Sequence, residues 1–292
     1  MKIAAIGEAM IELSMAGDTA GVGVAGDTLN TAIYLKRSAP ELQVDYITRL
    51  GTDAFSDRIA DFIASEDIGT AGIQRDPEGT PGLYAITTDD AGERSFTYWR
   101  DNSAARLTFV TDQGPDFVAL AQYDVIYLSG ITMAILSPST RSALMRFLQA
   151  FRKSGGRVCY DSNYRPRLWM DPETARTQNE AMWALSDIAL PSIDDEQEIT
   201  GETPEIIARR FLDRGRTGAL KRGELGPMCL QTGATYDFPK AETVIDTTSA
   251  GDSFNGGYLG ASLTGASQAT ALRAGHDLAM QVVGHKGAIL PK

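Results

Sequence analysis

Short apolar runs alternate with amphipathic stretches along most of the chain, and this alternation restricts the fold more than any other feature. The runs IAAIG (3–7), VDYITRLG (44–51), DVIYLSG (124–130), RVCYDS (157–162) and DIALPS (187–192) have the length of buried strands and end in polar residues. Between and after them lie the helical patterns TLNTAIYLKRS, AFSDRIADFIASED, PSTRSALMRFLQAFRKSG, ETARTQNEAMWALS and TPEIIARRFLDRG, several opened by Ser, Thr, Asp or Pro and closed by Gly. Strand followed by helix, repeated, predicts an α/β protein with a mainly parallel sheet flanked by helices. Two segments break the rhythm. Residues 10–25 and 80–101 read as hairpin material, the second with DDAGE as its turn, and together they predict a small β lid on the α/β body. With 292 residues, 43% of them hydrophobic, and no repeat, low-complexity tract or linker, one main domain over 1–292 is expected.

Charge and composition narrow the partners. A net charge of −11 argues against nucleic acid or an anionic membrane, both of which need a positive footprint, so any anionic ligand must be met by local basic residues. Cys159 and Cys229 each sit inside an apolar run and read as reduced core thiols, which fits the cytoplasm. The N-terminus KIAAIGEAMIEL lacks the pattern of an export signal, and no run of membrane-spanning length occurs.

Gly21, Gly23 and Gly26 spell G-x-G-x-x-G, and Asp45 stands near the place of a ribose-binding acid. A dinucleotide site needs those glycines directly after the first buried strand, but IAAIG ends at Gly7 and polar SMAGDTA intervenes. The segment reads instead as a ligand loop, with Gly26 allowing close backbone approach, Asp27 offering a carboxylate and Asn30 an amide; plain N-capping by Asp27 is the alternative.

The stretch DTTSAGDSFNGGYLG (246–260) places glycines at 251, 256, 257 and 260 in a segment whose apolar residues keep helical spacing. A helix N-terminus has unpaired amides and partial positive charge, and Ser249, Ala250 and Gly251 leave it uncovered for a phosphate. Asp252 follows at once. An acid there is placed to take a proton from an attacking hydroxyl while the amides hold charge developing on the transferred group. The bland alternative is a first-turn acid complementing the helix dipole. No G-x-x-x-x-G-K-[ST] motif occurs, so this is not a P-loop site.

DTTSAGDSFNGGYLG resembles the C-terminal signature D-T-x-G-A-G-D of the ribokinase-like (PfkB) carbohydrate kinases. AGDTLNTAIYL and RLGTDAFSD resemble that family's N-terminal signature and KRGELG its nucleotide-side turn, so the likeness runs along nearly the whole chain. It implies a doubly wound ribokinase-like fold with a β lid, ATP and Mg2+ as cosubstrates, Asp252 as catalytic base, and an anion hole of amides from Ala250, Gly251 and Asp252. Ser249 departs from the usual glycine; if positive φ is required there, serine costs roughly 1 kcal/mol.

DSNYRPRLW (161–169) puts Arg165 and Arg167 just past a predicted strand end, where ligands of such sheets collect. Arg100, Tyr84 and Tyr98 lie on the lid segments. In an acidic protein, arginines converging on a sugar pocket point to an anionic substrate, because a guanidinium pairs bidentately with a carboxylate; a surface salt bridge is the alternative for each. GDTLN, YRPRLW, ALPSIDDE and GHDLAMQVVGHKGAI together are similar to the branch of the family that phosphorylates 2-keto-3-deoxygluconate on its terminal hydroxyl. The resemblance assigns Gly26, Asp27, Asn30, Tyr84, Tyr98, Arg100, Arg165 and Asp252 to the sugar acid and leaves Arg167 nearer the phosphates.

PSIDDE (191–196) resembles the family's N-x-x-E motif, which positions Mg2+ through water, with Ser192 and Asp195 in place of its usual residues. Asp195 is shorter than glutamate, so Glu196 is a second candidate, and helix capping by one of them is the alternative. By the same resemblance Lys221 and the turn Gly223 to Gly226 lie against the nucleotide, and Gly275 and His276 near adenine. His276 and His285 are the only histidines and form neither a metal pair nor a Ser-His-Asp set. The rivals are a kinase for fructose or another ketose, a sensor that binds without catalysis, and an NAD-dependent oxidoreductase. Exposed lid edges favour a homodimer.

Overall fold

The structure, a computed structural model, describes residues 1–88 and 94–292. Its strands are β1 (Lys2–Ile6), β2 (Met10–Ala16), β3 (Thr19–Ala25), β4 (Gln43–Leu50), β5 (Ile73–Arg75), β6 (Gly82–Thr88), β7 (Arg94–Trp99), β8 (Val110–Thr111), β9 (Gly114–Pro115), β10 (Val125–Ser129), β11 (Arg157–Asp161), β12 (Ile188–Leu190), β13 (Thr217–Leu220) and β14 (Met228–Cys229). The helices are α1 (Asp27–Ser38), α2 (Ala54–Ser65), α3 (Gly130–Ile135), α4 (Pro138–Lys153), α5 (Pro172–Leu185), α6 (Ile193–Thr200), α7 (Pro204–Arg214), α8 (Ala250–Leu263) and α9 (Gln268–Val283).

Eight strands form one sheet in the order β14-β13-β12-β11-β10-β1-β4-β5, parallel at every pairing except β13 with β14. The five apolar runs read from sequence are β1, β4, β10, β11 and β12. Their side chains alternate between two cores because successive strand residues point to opposite faces. Ile3, Ala5, Tyr127 and Cys159 pack with Leu29, Ile33, Phe254 and Tyr258 on one face, while Ala4, Ile6, Leu128 and Tyr160 pack with Leu144, Met182, Trp183 and Phe211 on the other. Both free cysteines are buried.

The lid is the four-stranded sheet β3-β2-β6-β7, built from the two segments that broke the sequence rhythm. The DDAGE turn expected at its tip lies outside the described residues. Gly21 and Gly23 of the G-x-G-x-x-G run stand on lid strand β3, not at a strand-to-helix turn, and Asp45 is on β4, where it accepts from Tyr123.

β1 lies between β10 and β4, so the chain winds outward in both directions from it. Ligands of open α/β sheets bind at the carboxyl ends of the strands around such a switch point. Gly7, Ser129, Asp161, Ser192 and Lys221 end or closely follow β1, β10, β11, β12 and β13, so one edge of the sheet gathers them.

Candidate active site

Helix α8 rises into this edge tip-first. Its N-cap, Ser249, has φ 64° and ψ 11°, the left-handed conformation that costs a non-glycine residue about 1–2 kcal/mol. The Ser249 hydroxyl is buried without a hydrogen-bond partner. Gly251 is exposed, and a Cβ there would meet nothing closer than the Lys221 ammonium at 3.8 Å. The other glycines of the segment serve packing: a Cβ on Gly256 would strike Tyr34 of α1 at 2.4 Å, and one on Gly257 the Ala274 carbonyl of α9 at 2.7 Å. Glycine therefore has two uses here, one bare tip and two close helix seams. The amide of Ala250 already donates to the Thr247 carbonyl at 3.2 Å, whereas the first-turn amides of Gly251 and Asp252 have no carbonyl one turn earlier to bond within the helix.

Asp252 accepts from the Asn30 amide at 2.9 Å, and its carbonyl accepts from Thr31 Oγ1 at 3.2 Å. Burial, then the negative charge of Asp27, push its pKa up, against the opposing hydrogen bond from Asn30. The Asp27 carboxyl is raised by burial too; it accepts from Ser129 Oγ and from Asn163 Nδ2. A carboxylate drawn towards neutrality at an uncovered helix tip has the proton affinity of a general base.

A second acid completes the floor. Asp161 accepts from Lys221 Nζ at 2.7 Å and from Asn255 Nδ2 at 2.7 Å, and Lys221 also reaches Asn255 Oδ1 at 3.2 Å. Tyr127 joins the two acids, with its hydroxyl 3.2 Å from Asn255 and 3.1 Å from Thr31. Sequence reasoning passed over Asp161, Asn163, Ser129, Tyr127 and Glu8. Asp161 and Asn163 were visible in DSNYR at a strand end, where the arginines drew the reading instead.

At the other wall, Gly26 sits where a Cβ would lie 2.2 Å from the Glu8 carbonyl, so close approach requires glycine. Tyr84 donates to Glu12, and the Tyr84 and Tyr98 ring centroids stand 5.6 Å apart. Arg100 is buried, pairs with Glu8 and lies 5.9 Å from the Tyr98 ring centre. Its charge is thus already answered by Glu8. Arg165 is 54% exposed at its side chain, with Asp195 at 3.9 Å; Arg167 is exposed two residues further on.

Glu196, Gly275 and His276, expected at the metal or the nucleotide, are all buried against neighbouring elements. Glu196 is fully buried and accepts from Asn179 at 2.8 Å, Trp183 at 3.0 Å and Arg210 at 2.7 Å, so it belongs to the core and not to the cleft. Adjacent helical residues point about 100° apart, which is why Asp195 faces the cleft instead. Gly275 packs against Phe254 in the α8–α9 seam, where a Cβ would come within 2.8 Å of the Phe254 carbonyl. His276 is buried, with Nε2 2.7 Å from the Pro239 carbonyl and its ring 4.7 Å from Phe238. Ser192 stands at the N-terminal boundary of α6 without a side-chain cap bond, and Gly223 and Gly226, at φ 54° and 70°, form a turn only backbone without Cβ adopts easily.

Among the described residues no cluster of three or more His, Cys, Asp or Glu could hold a metal directly. Asp195 does fit a hydrated cation: burial and the charge of Asp161 raise its pKa to about 6 against the opposing pull of Ser162, Lys221 and Arg165, and a further positive charge nearby would favour its ionised form.

The profile of pfkB family carbohydrate kinases matches residues 1–292. The chain belongs to that family. A 2-dehydro-3-deoxygluconokinase of Escherichia coli K12 is 43% identical over 303 residues, spanning 100% of this chain and 97% of the relative. Among solved structures, a PfkB protein from Polaromonas sp. JS666 superposes with a TM-score of 0.82 at 26% identity, covering 98% of this chain and 96% of that one. The fold is shared as well by a Vibrio cholerae fructokinase solved with fructose, ADP and a calcium ion, with a TM-score of 0.82 at 23% identity, 98% of this chain and 94% of that one. This pfkB kinase thus has the ribokinase-like fold.

Proposed function

We propose that the protein transfers the γ-phosphoryl group of ATP to the terminal hydroxyl of 2-keto-3-deoxy-D-gluconate, giving the 6-phosphate. The observation that carries this reading is the Asp252 carboxylate held by Asn30 beside the uncovered amides of Gly251 and Asp252. Asp252 takes the hydroxyl proton as that oxygen bonds to phosphorus and ADP leaves. The two amides, with the Lys221 ammonium across Gly251, stabilise charge on the phosphoryl oxygens. Lys221 rests on Asp161, and an arriving phosphate competes with that carboxylate for it. Mg2+ would be held by the phosphates and, through water, by Asp195; it supplies charge neutralisation on ATP. Gly26, Asp27, Asn30, Tyr84, Tyr98 and Arg165 receive the sugar acid.

The name of the 43%-identical relative favours the sugar acid over a neutral ketose. So does Arg165, the exposed cation at the strand ends. The lid leaves Trp99 58% exposed on edge strand β7, which supports pairing of two copies. No helix of the described residues is long and apolar enough to cross a membrane, and dependence on ATP supports a cytoplasmic location. Coupled ADP-release assays across sugar acids and neutral ketoses test the reading. Turnover with 2-keto-3-deoxygluconate above that with fructose supports it, and sugar-dependent ADP release with neutral ketoses alone overturns it.

A further inference from the structure

We propose that Arg94 is a positioning residue for phosphoryl transfer, docking lid strand β7 onto the turn that presents the anion hole. The inference rests on the assignment of that hole to the α8 tip.

Asp246 is the joint. Its carboxylate receives the Arg94 guanidinium, the Gly287 amide at 2.7 Å and the Thr248 amide at 3.0 Å. The same guanidinium nitrogen reaches Thr248 Oγ1 at 3.3 Å. From behind, the amides of Ile245 and Asp246 are anchored on the Val283 carbonyl at the end of α9, at 2.8 and 3.1 Å. Arg94 therefore grips the two residues that lead into left-handed Ser249, and a turn in that conformation persists only where its surroundings fix it.

An ordinary surface ion pair contributes little, but this one is desolvated: the side chains of Arg94 and Asp246 are 22% and 2% exposed. Burial opposes ionisation of Asp246, yet the bonds from Arg94, Gly287 and Thr248 prevail and hold its pKa down at about 2, so the acid is charged whenever the enzyme works.

Strand geometry supplies the link to substrate. Arg94, Phe96 and Tyr98 alternate along β7 and share a face, and Tyr98 stands opposite Tyr84 in the register. One rigid strand thus carries a sugar-pocket ring at one end and the clamp on the anion-hole turn at the other. A sugar that seats the lid aligns the amides of Gly251 and Asp252, and an unseated lid leaves them loose.

The test uses Arg94→Ala, Arg94→Gln, Asp246→Asn and the double variant in ADP-release kinetics with 2-keto-3-deoxygluconate. Arg94→Ala is expected to lower kcat by roughly 10- to 100-fold through misalignment, with sugar KM moving far less. Added guanidinium ion restores part of that loss, and the double variant is no slower than Asp246→Asn alone. Arg94→Gln, which keeps most of the aliphatic stem but drops the charge and the guanidinium fork, carries the same readout if the alanine variant does not fold. A kcat within about twofold of the parent, a rise confined to KM, or losses that multiply independently overturns the proposal. If the unmodified enzyme shows no sugar-dependent ADP release, it is the functional reading that fails; an active parent with an unaffected Arg94 variant defeats this inference alone.

Discussion

Asn30, on the first turn of α1, donates its side-chain amide to the Asp252 carboxylate on the first turn of α8, 2.9 Å away and 222 positions along the chain. The two helices start together and then run side by side, Tyr34 against Gly256 and Ser38 against Gly260, and the bond at their shared end restrains the Asp252 carboxylate.

Replacing Asp252 with Asn keeps the shape and removes the proton acceptor. We expect kcat to fall by roughly 10^2 to 10^4 with substrate binding nearly intact. Single-turnover rates and direct sugar titration check this, and equal turnover in variant and parent rejects Asp252 as base.

The pH profile follows from the same burial. A base acts only when ionised, and burial with the Asp27 charge raises the Asp252 pKa, so kcat/KM is expected to fall on the acid side at a pH above the ordinary carboxylate range. Asp27→Asn removes the like charge, favours the ionised form and moves that limb to lower pH. A limb unmoved by Asp27→Asn contradicts the coupling.

Glu8 answers the charge of buried Arg100, whereas Arg165 is 54% exposed with Asp195 at 3.9 Å, so the proposed function gives Arg165 the substrate carboxylate. Arg165→Ala is expected to raise KM for the sugar acid by roughly 10- to 100-fold, the range of a hydrogen bond to a charged group, while sparing a neutral ketose. Parallel KM measurements on the two substrates decide it.

Glu196 belongs to the buried network of Asn179, Trp183 and Arg210. Glu196→Ala removes the buried acceptor of Asn179 and Trp183, while Arg210 keeps Glu202 at 2.9 Å, and is expected to destabilise the protein by about 1–3 kcal/mol in urea denaturation. The Mg2+ dependence of the surviving activity should be unchanged; a shifted Mg2+ requirement would return Glu196 to the metal.

Ser249→Gly removes both the left-handed penalty and a buried unpartnered hydroxyl. A gain of about 1 kcal/mol is expected from the first alone, read as a higher Tm.

Local pattern was enough for much of this molecule. Alternating apolar residues define strands whichever neighbours they acquire, so β1, β4, β10, β11 and β12 could be read from the chain, and glycine beside an acid marked the α8 tip because helix ends leave amides free regardless of context. Partner choice across long separations could not be read. Asp195 and Glu196 are neighbours of nearly equal chemistry, yet α6 turns one to the cleft and the other to Trp183 and Arg210. Arg100 looked free until folding set Glu8 beside it, and Asp161 looked unremarkable until Lys221 and Asn255 closed on it. A charge acquires its role from what compensates it after water is removed, and only the packed chain specifies that compensation.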